Sequence, residues 1–508
     1  MNLLKNILKN WKTIALASSV FLFLFFFLGY HNIFFRGPYG MHFMRQTDSL
    51  SFVSQYFNNG FHFFDPQLFN LKNIDGRAAC EFPILYYITS LLYLILGKKL
   101  FLLKFIHLLI SFTGLFYVYR LAYLILKDYV YSILIALFLC TSTVFNFYAF
   151  NYLPDAPALG FIFIAWYYVF HYQQFGAKSS GIKAFIFFTL SSLIKVTYFI
   201  NPIAILVFYL FMLLFKKHSF YNQQNPFLLF KYGLISLLLV SSWNAYMLYY
   251  NQQYDSHSFN TTILPIWELT NNDIHLIWSD YLMSYWYNSY FAKSSFHFIA
   301  ISFFFSLIFI KKSNYNISLI NGLLFLGCLC FSILFYAQFK DHDYYFLICI
   351  PFITLTLING MKTLINIDLS EKYHRFFKAV FFLVVLAGIN HSRHKLTERY
   401  EYSMDEYSQT GLLIDENKMA IDGLNIPKDA KVILAPEPSQ NGGLFYLDRM
   451  GWTISSIKEV SSTKIRSLKQ KGAEYLILTE QNNLTINKIE HEGKIILRNN
   501  DLMVFHLQ

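Results

Sequence analysis

Apolar runs recur along most of this chain, at roughly 13–30, 102–119, 129–147, 158–174, 183–199, 200–215, 229–249, 296–310, 317–336, 345–361 and 377–389. A helix needs about 20 apolar residues to cross the hydrocarbon of a bilayer, so the pattern predicts about eleven transmembrane helices. The run Ile84–Gly97 is apolar but short for a span. If it crosses, the basic residues of the later connectors (Arg120, Lys127, Lys178, Lys183, Lys216, Lys217, Lys231, Lys311, Lys312, Lys362, Lys372, Arg375 and Lys378) fall outside. If it lies in the interface, they fall inside. The positive-inside bias selects the interfacial helix. The N-terminus is then cytoplasmic and the C-terminus extracytoplasmic. Lys5, Lys9 and Lys12 ahead of the first run resemble a signal peptide, but the run is long and no small-residue cleavage site follows, so a retained first span is expected.

The pattern changes after about residue 390. Lys431-Val-Ile-Leu-Ala reads as a strand, with Pro436, Pro438 and Gly442-Gly443 as the turn after it. Ile465–Gly472 reads as a short helix, and Glu474–Leu478, Lys494–Leu497 and Met503–Leu507 as strands. The expected organisation is a transmembrane catalytic domain over 1–390 and a small extracytoplasmic α/β domain over 391–508. The tail carries no phosphate-binding glycine pattern; substrate selection, partner docking and a passive cap all suit it.

Composition sharpens this picture. Of 508 residues, 55% are hydrophobic and only 14% charged, against about 25% charged in soluble proteins. The net charge of +11 would suggest nucleic acid in a soluble chain. Here the cations sit in short clusters between apolar runs, so no nucleic-acid partner is expected. The five cysteines (Cys80, Cys140, Cys328, Cys330 and Cys349) show neither metal-ligand spacing nor a disulfide framework. The abundance of Lys, Asn, Ile and Phe points to an AT-rich, bacterial genome, and so to the bacterial cytoplasmic membrane.

Four polar segments share the outer face under this topology: His42–Glu81, Phe150–Pro157, Asn251–Lys293 and Gln338–Tyr345. Acids and bases gathered at one membrane face are a functional-site signal. Asp48, in Arg45-Gln46-Thr47-Asp48, can deprotonate an acceptor hydroxyl as general base; read alone, it is equally a loop acid paired with Arg45. Asp155, in Asn151-Tyr-Leu-Pro154-Asp155, lies where one span ends and the next begins. It calls for a partner such as a metal, Arg45 or a substrate hydroxyl, or it caps the following helix. Lys195 can snorkel to the interface or hold a phosphate. His342, in Asp341-His342-Asp343-Tyr344-Tyr345, can donate to a leaving phosphate or bind a metal. Trp267, Trp278 and Trp286 suit sugar stacking or an interfacial aromatic belt.

Arg45-Gln46-Thr47-Asp48, Glu81-Phe82-Pro83-Ile-Leu-Tyr86-Tyr87, Pro154-Asp155, Leu193-Ile-Lys195 and His342-Asp343-Tyr344-Tyr345 together resemble the GT-C superfamily of integral-membrane glycosyltransferases. The resemblance covers roughly 1–390 and is closest to the branch of protein O-mannosyltransferases and lipid A aminoarabinose transferases, glycosyltransferase family 39-like. It implies a hexosyl or pentosyl transferase that takes sugar from a polyprenyl-phosphate donor to a glycan, lipid or protein acceptor. Asp48 would be the base, and Asp155 would order the site or a metal. Arg45, Gln46, Glu81, Lys195, His342, Tyr344 and Tyr345 would bind substrate, with Lys195 and His342 expected near the donor phosphate. A divalent metal on Asp155 or His342 is left open. Many relatives follow the first-loop Asp with Glu; here Ser49 follows, and Glu81 can substitute.

The physical chemistry agrees. A polyprenyl phosphate is a good leaving group, so cations that take up phosphate charge suffice in place of a strong acid. A single base in one displacement predicts inversion. A transporter or flippase of lipid-linked saccharides would instead show charges deep in the spans and internal repeats. A polysaccharide polymerase or ligase would favour arginines in Asn251–Lys293, which has none.

Overall fold

The computed structural model describes residues 2–215, 225–259, 263–401, 406–480, 486–487 and 489–507. Lys216 and Lys217 lie outside them, as do the side chains of residues 1–14, of Tyr285 and of Trp286. The chain is a multi-pass α-helical membrane protein with a small C-terminal sheet. Each expected span lies on helical chain. Among the described residues, six helices are long and apolar enough to cross a membrane, and eight if two bent pairs each count as one. The bent pairs are Tyr129–Leu139 with Thr143–Ala149, at 76°, and Asn271–Tyr290 with Lys293–Ile308, at 91°.

The chain forms two compact units. The first comprises residues 1–34, 104–243 and 262–398. Its helices Phe101–Leu126 and Asp155–Phe175 meet backbone to backbone. A Cβ on Gly160 would lie 2.7 Å from the Ile110 carbonyl oxygen, and one on Gly114 would lie 2.6 Å from the Gly160 Cα. Small residues permit this approach, which replaces the hydrophobic drive that lipid cannot supply. The segment expected to be loop up to Lys293 is largely helical: Asn271–Leu276 is capped by Thr270, whose hydroxyl accepts from the Asp273 N–H in a reciprocal box. A π-helical stretch, Ile277–Trp286, follows. Trp267 and Trp278 are exposed.

The second unit gathers residues 35–103, 244–261 and 399–508. Its sheet comprises β1 (Lys431–Ala435), β2 (Gly451–Thr453), β3 (Ala473–Leu478), β4 (Gly493–Arg498) and β5 (Met503–Leu507), in the order β2-β1-β3-β5-β4. β1 is parallel to β2 and β3, and β5 is antiparallel to β3 and β4. Ile433, Leu476, Met503 and Phe505 fill one core with Ile465 and Leu468 of the helix Ser462–Gln470. β2 was not expected from sequence: three residues are too few to register an alternation. Gly442-Gly443, expected as a turn, opens the helix Gly442–Leu447.

The first polar segment is built into this unit. Leu71 packs on the sheet core, its N–H donates to the Gly451 carbonyl at 2.7 Å, and the Gly451 N–H donates to Phe69 at 3.0 Å. Ahead of this strand-like stretch runs the helix Phe43–Asn58. It packs against Ile84–Leu96, which buries Leu85, Tyr86, Thr89, Ser90 and Tyr93 and leaves Ile88, Leu91, Leu94 and Ile95 exposed.

Candidate active site

Arg45 and Asp48 sit three residues apart on the helix Phe43–Asn58 and so share a face. Sequence alone placed them in a loop. The helix buries hydroxyls alongside its apolar residues: Thr47, Ser49, Ser51 and Ser54 are inside together with Leu50, Phe52 and Val53. Three of these hydroxyls donate to carbonyls of the preceding turn, as Ser51 does to Thr47 at 2.6 Å.

The Arg45 guanidinium reaches both Glu81 carboxylate oxygens at 3.1 Å and lies 3.7 Å from Asp48. It also stands over the Phe259 ring, 5.1 Å from its centre. Glu81 further accepts from the Tyr86 hydroxyl. Burial raises the Glu81 carboxyl, but Arg45, Cys80 and Tyr86 more than offset this and hold it at about 2. Asp48 lies the other way. Its side chain is 15% exposed, and burial, reinforced by Glu81, outweighs Arg45 and Asn441 and lifts it to about 6. Two carboxyls near one arginine are thus pushed apart, one a permanent anion and the other poised near neutrality, as acid–base sites require. Gln46 faces inward. Its amide donates to the carbonyls of Tyr39 and Met41 at 2.8 Å each and accepts from the Tyr39 N–H. It pins the turn ahead of the helix.

The other expected residues meet within the first unit. Asp155 is the first residue of its helix, after Pro154. Its carboxylate does not cap; it pairs with the Lys195 ammonium at 2.9 Å and is almost fully buried. An acid in a first turn also opposes the positive end of the helix. Lys195 stands over the rings of Tyr344 and Tyr345, 4.9 and 5.2 Å from their centres. His342 stacks on Tyr345 at 5.5 Å and meets Tyr344 edge-on. Asp343, fully buried, accepts from the Tyr148 hydroxyl at 2.6 Å and anchors the segment. Among the described residues no three His, Cys, Asp or Glu side chains converge as metal ligands. Asp155 already holds an ammonium, so these side chains as arranged do not fit a metal.

No family model and no curated protein matches this chain. Solved structures do. ArnT from Cupriavidus metallidurans bound to undecaprenyl phosphate superposes with a TM-score of 0.61 at 11% identity, over 97% of this chain and 98% of that one. The oligosaccharyltransferase AglB from Archaeoglobus fulgidus, in complex with an inhibitory peptide and a dolichol-phosphate, gives 0.51 at 13% identity, over 92% and 70%. The arabinofuranosyltransferase AftD from Mycobacteria gives 0.56 at 12%, over 98% of this chain and 40% of that one. The chain shares the fold of these structures, GT-C.

The sequence reading missed Asn441, a polar group that the C-terminal sheet region brings to Asp48. Its amide lies 3.3 Å from an Asp48 carboxylate oxygen and 2.6 Å from the Ser51 hydroxyl. Asn441 stands in a proline- and glycine-rich turn 393 positions away, and nothing local in the sequence marks it. Tyr86 was quoted as part of a motif; its hydroxyl, shared between Glu81 and Ser49 (3.1 Å), gives it a place in the cluster.

Proposed function

We propose that this protein transfers a sugar from a polyprenyl-phosphate donor to an acceptor hydroxyl at the outer face of the cytoplasmic membrane, with inversion and with Asp48 as general base. The observation that carries this reading is the full-length likeness to a GT-C structure holding undecaprenyl phosphate. The electrostatics of the first polar segment support it: a carboxyl at about 6 is mostly ionised at neutral pH and still basic enough to take a proton.

Asp48 takes the acceptor proton as the acceptor oxygen attacks the anomeric carbon. The bond from that carbon to the phosphate oxygen breaks, and its electron pair leaves on the polyprenyl phosphate. Within the first unit, Lys195, held by Asp155 and standing over the rings of Tyr344 and Tyr345, is the candidate cation for the growing phosphate charge. Arg45 is committed to Glu81 and sets the charge around the base. The exposed apolar residues of Ile84–Leu96 suit a helix lying in the lipid interface, where a lipid donor would arrive laterally.

The test is transfer of labelled sugar from a polyprenyl-phosphate donor pool to envelope material, comparing wild type with a folded Asp48→Asn variant. Loss of about 10²- to 10⁴-fold is expected for removal of a general base. Equal transfer by both would refute the role of Asp48. No transfer by either, with lipid-linked sugar accumulating on one leaflet in a deletion strain, would replace the enzyme by a transporter.

A further inference from the structure

We propose that Asn441 is a positioning residue for the Asp48 carboxylate, so that the C-terminal sheet region completes the catalytic machinery. The proposal rests on the reading of Asp48 as the base. Its starting point is the orientation of one amide. The Phe69 backbone N–H, which can only donate, meets Asn441 Oδ1 at 3.0 Å. That fixes which end of the amide is oxygen, so the NH₂ group must face the Ser51 hydroxyl and Asp48. All three polar positions of the side chain are used, and each partner lies in the first polar segment.

The turn carrying Asn441 is built to hold it there. Glu437, fully buried, accepts from the Ser439 N–H and the Gly443 N–H at 2.8 Å each. The Ser439 hydroxyl accepts from the Gly442 N–H at 2.8 Å. The Asn70 amide donates to the Gln440 carbonyl, and the Tyr446 hydroxyl donates to the Pro38 carbonyl at 2.9 Å. Any side chain on Gly442 would run into the Phe43 ring, so the turn sits directly on the helix that carries Asp48. A passive cap needs none of this polar fit.

The charged groups facing Asp48 are Arg45 on its own helix and Glu81 on the segment after Arg77. Asn441, from the sheet region, adds a neutral donor that favours the ionised form and restricts the carboxylate's rotation. Removing it leaves the charges in place and loosens the base. Misplacement of a reacting group by about 1 Å costs on the order of 10²-fold.

The experiment uses the full-length protein in detergent micelles. The Asp48 titration is read from its protonated-carboxyl infrared band, isolated as the difference from the matching Asp48→Asn protein. Transfer is followed over pH with a labelled polyprenyl-phosphate sugar fraction extracted from source-organism membranes. In Asn441→Ala the infrared titration and the acid limb of kcat should move to higher pH, kcat should fall roughly 10- to 100-fold, and the donor KM should hold. Asn441→Asp keeps the shape, puts a carboxylate beside Asp48, and should move both further; it stands in if the alanine variant does not fold. Unmoved titration and limb in a folded variant, with Asp48→Asn inactive, would overturn the positioning role and leave the base intact. Full transfer by Asp48→Asn would overturn both.

Discussion

Replacing Asp48 by asparagine should silence transfer and stabilise the fold, and the second effect carries a pH signature. The wild-type carboxyl is held at about 6 instead of its ordinary 3.8, which corresponds to about 3 kcal/mol between the two protonation states. Below pH 3.8 the group is protonated whether the chain is folded or unfolded, so titration contributes no difference. Between 3.8 and 6 the unfolded chain releases the proton while the folded one keeps it, and wild-type stability falls as pH rises. By about a unit above 6 the loss is complete. The side chain is only 15% exposed, so solvent screening removes little of it. The neutral amide has no such term. The stability of Asp48→Asn minus that of wild type should therefore climb by about 2.5 kcal/mol from pH 4 to pH 7. Denaturant unfolding of the purified protein in one detergent, at several pH values, measures it. A flat difference would mean that Asp48 titrates like an exposed acid, and the burial argument for a tuned base would fail.

Glu81→Gln should destabilise by about 3 kcal/mol at pH 7, because Arg45 loses the anion it grips with both nitrogen–oxygen contacts. Since wild-type Glu81 sits at about 2, its stabilisation is present above pH 4.5 and lost on acidification toward 2; the glutamine variant should lack that acid transition, and a denaturation midpoint unchanged at pH 7 would rule this out. Lys195→Met should cost about 3–5 kcal/mol by stranding the buried Asp155 carboxylate, with Lys195→Arg recovering much of it; equal stability of wild type and Lys195→Met would refute the pairing. Glu437, raised by burial to about 7, should make wild-type stability decline by about 3 kcal/mol as pH rises from 4.5 through 7, a slope absent in Glu437→Gln and readable from the same unfolding series.

The apolar framework was legible because each span carries its own signal: a long apolar run is a local property of the chain. Four of the five strands were legible for the same reason, and β2 was lost because three residues hold too little pattern. Asp48 and Arg45 were legible as chemistry but not as a helix, since a helix that buries serine and threonine hydroxyls looks like loop on a hydropathy scale. Lys195 and Asp155 were each singled out, yet the sequence left Asp155 between cap, metal ligand and ion pair; only the turn at Ile194–Val196 brings the ammonium to it. Gln46 illustrates the converse, a polar residue in a motif whose groups are spent on the turn beside it. Asn441 was beyond reach because its significance lies entirely in a tertiary contact.

The span between Asp48 and Asn441 also has a consequence in time. At ordinary synthesis rates of about 5–20 residues per second, the 393 positions separating them take on the order of 20–80 seconds to emerge. Throughout that interval the nascent chain carries its carboxylate without the amide that orients it, while its first membrane segments are already being delivered to the bilayer. A message that ends before residue 441 therefore releases a chain that can occupy the membrane with this contact unmade. Emergence of the turn at Asn441 is the moment from which the carboxylate can gain its partner.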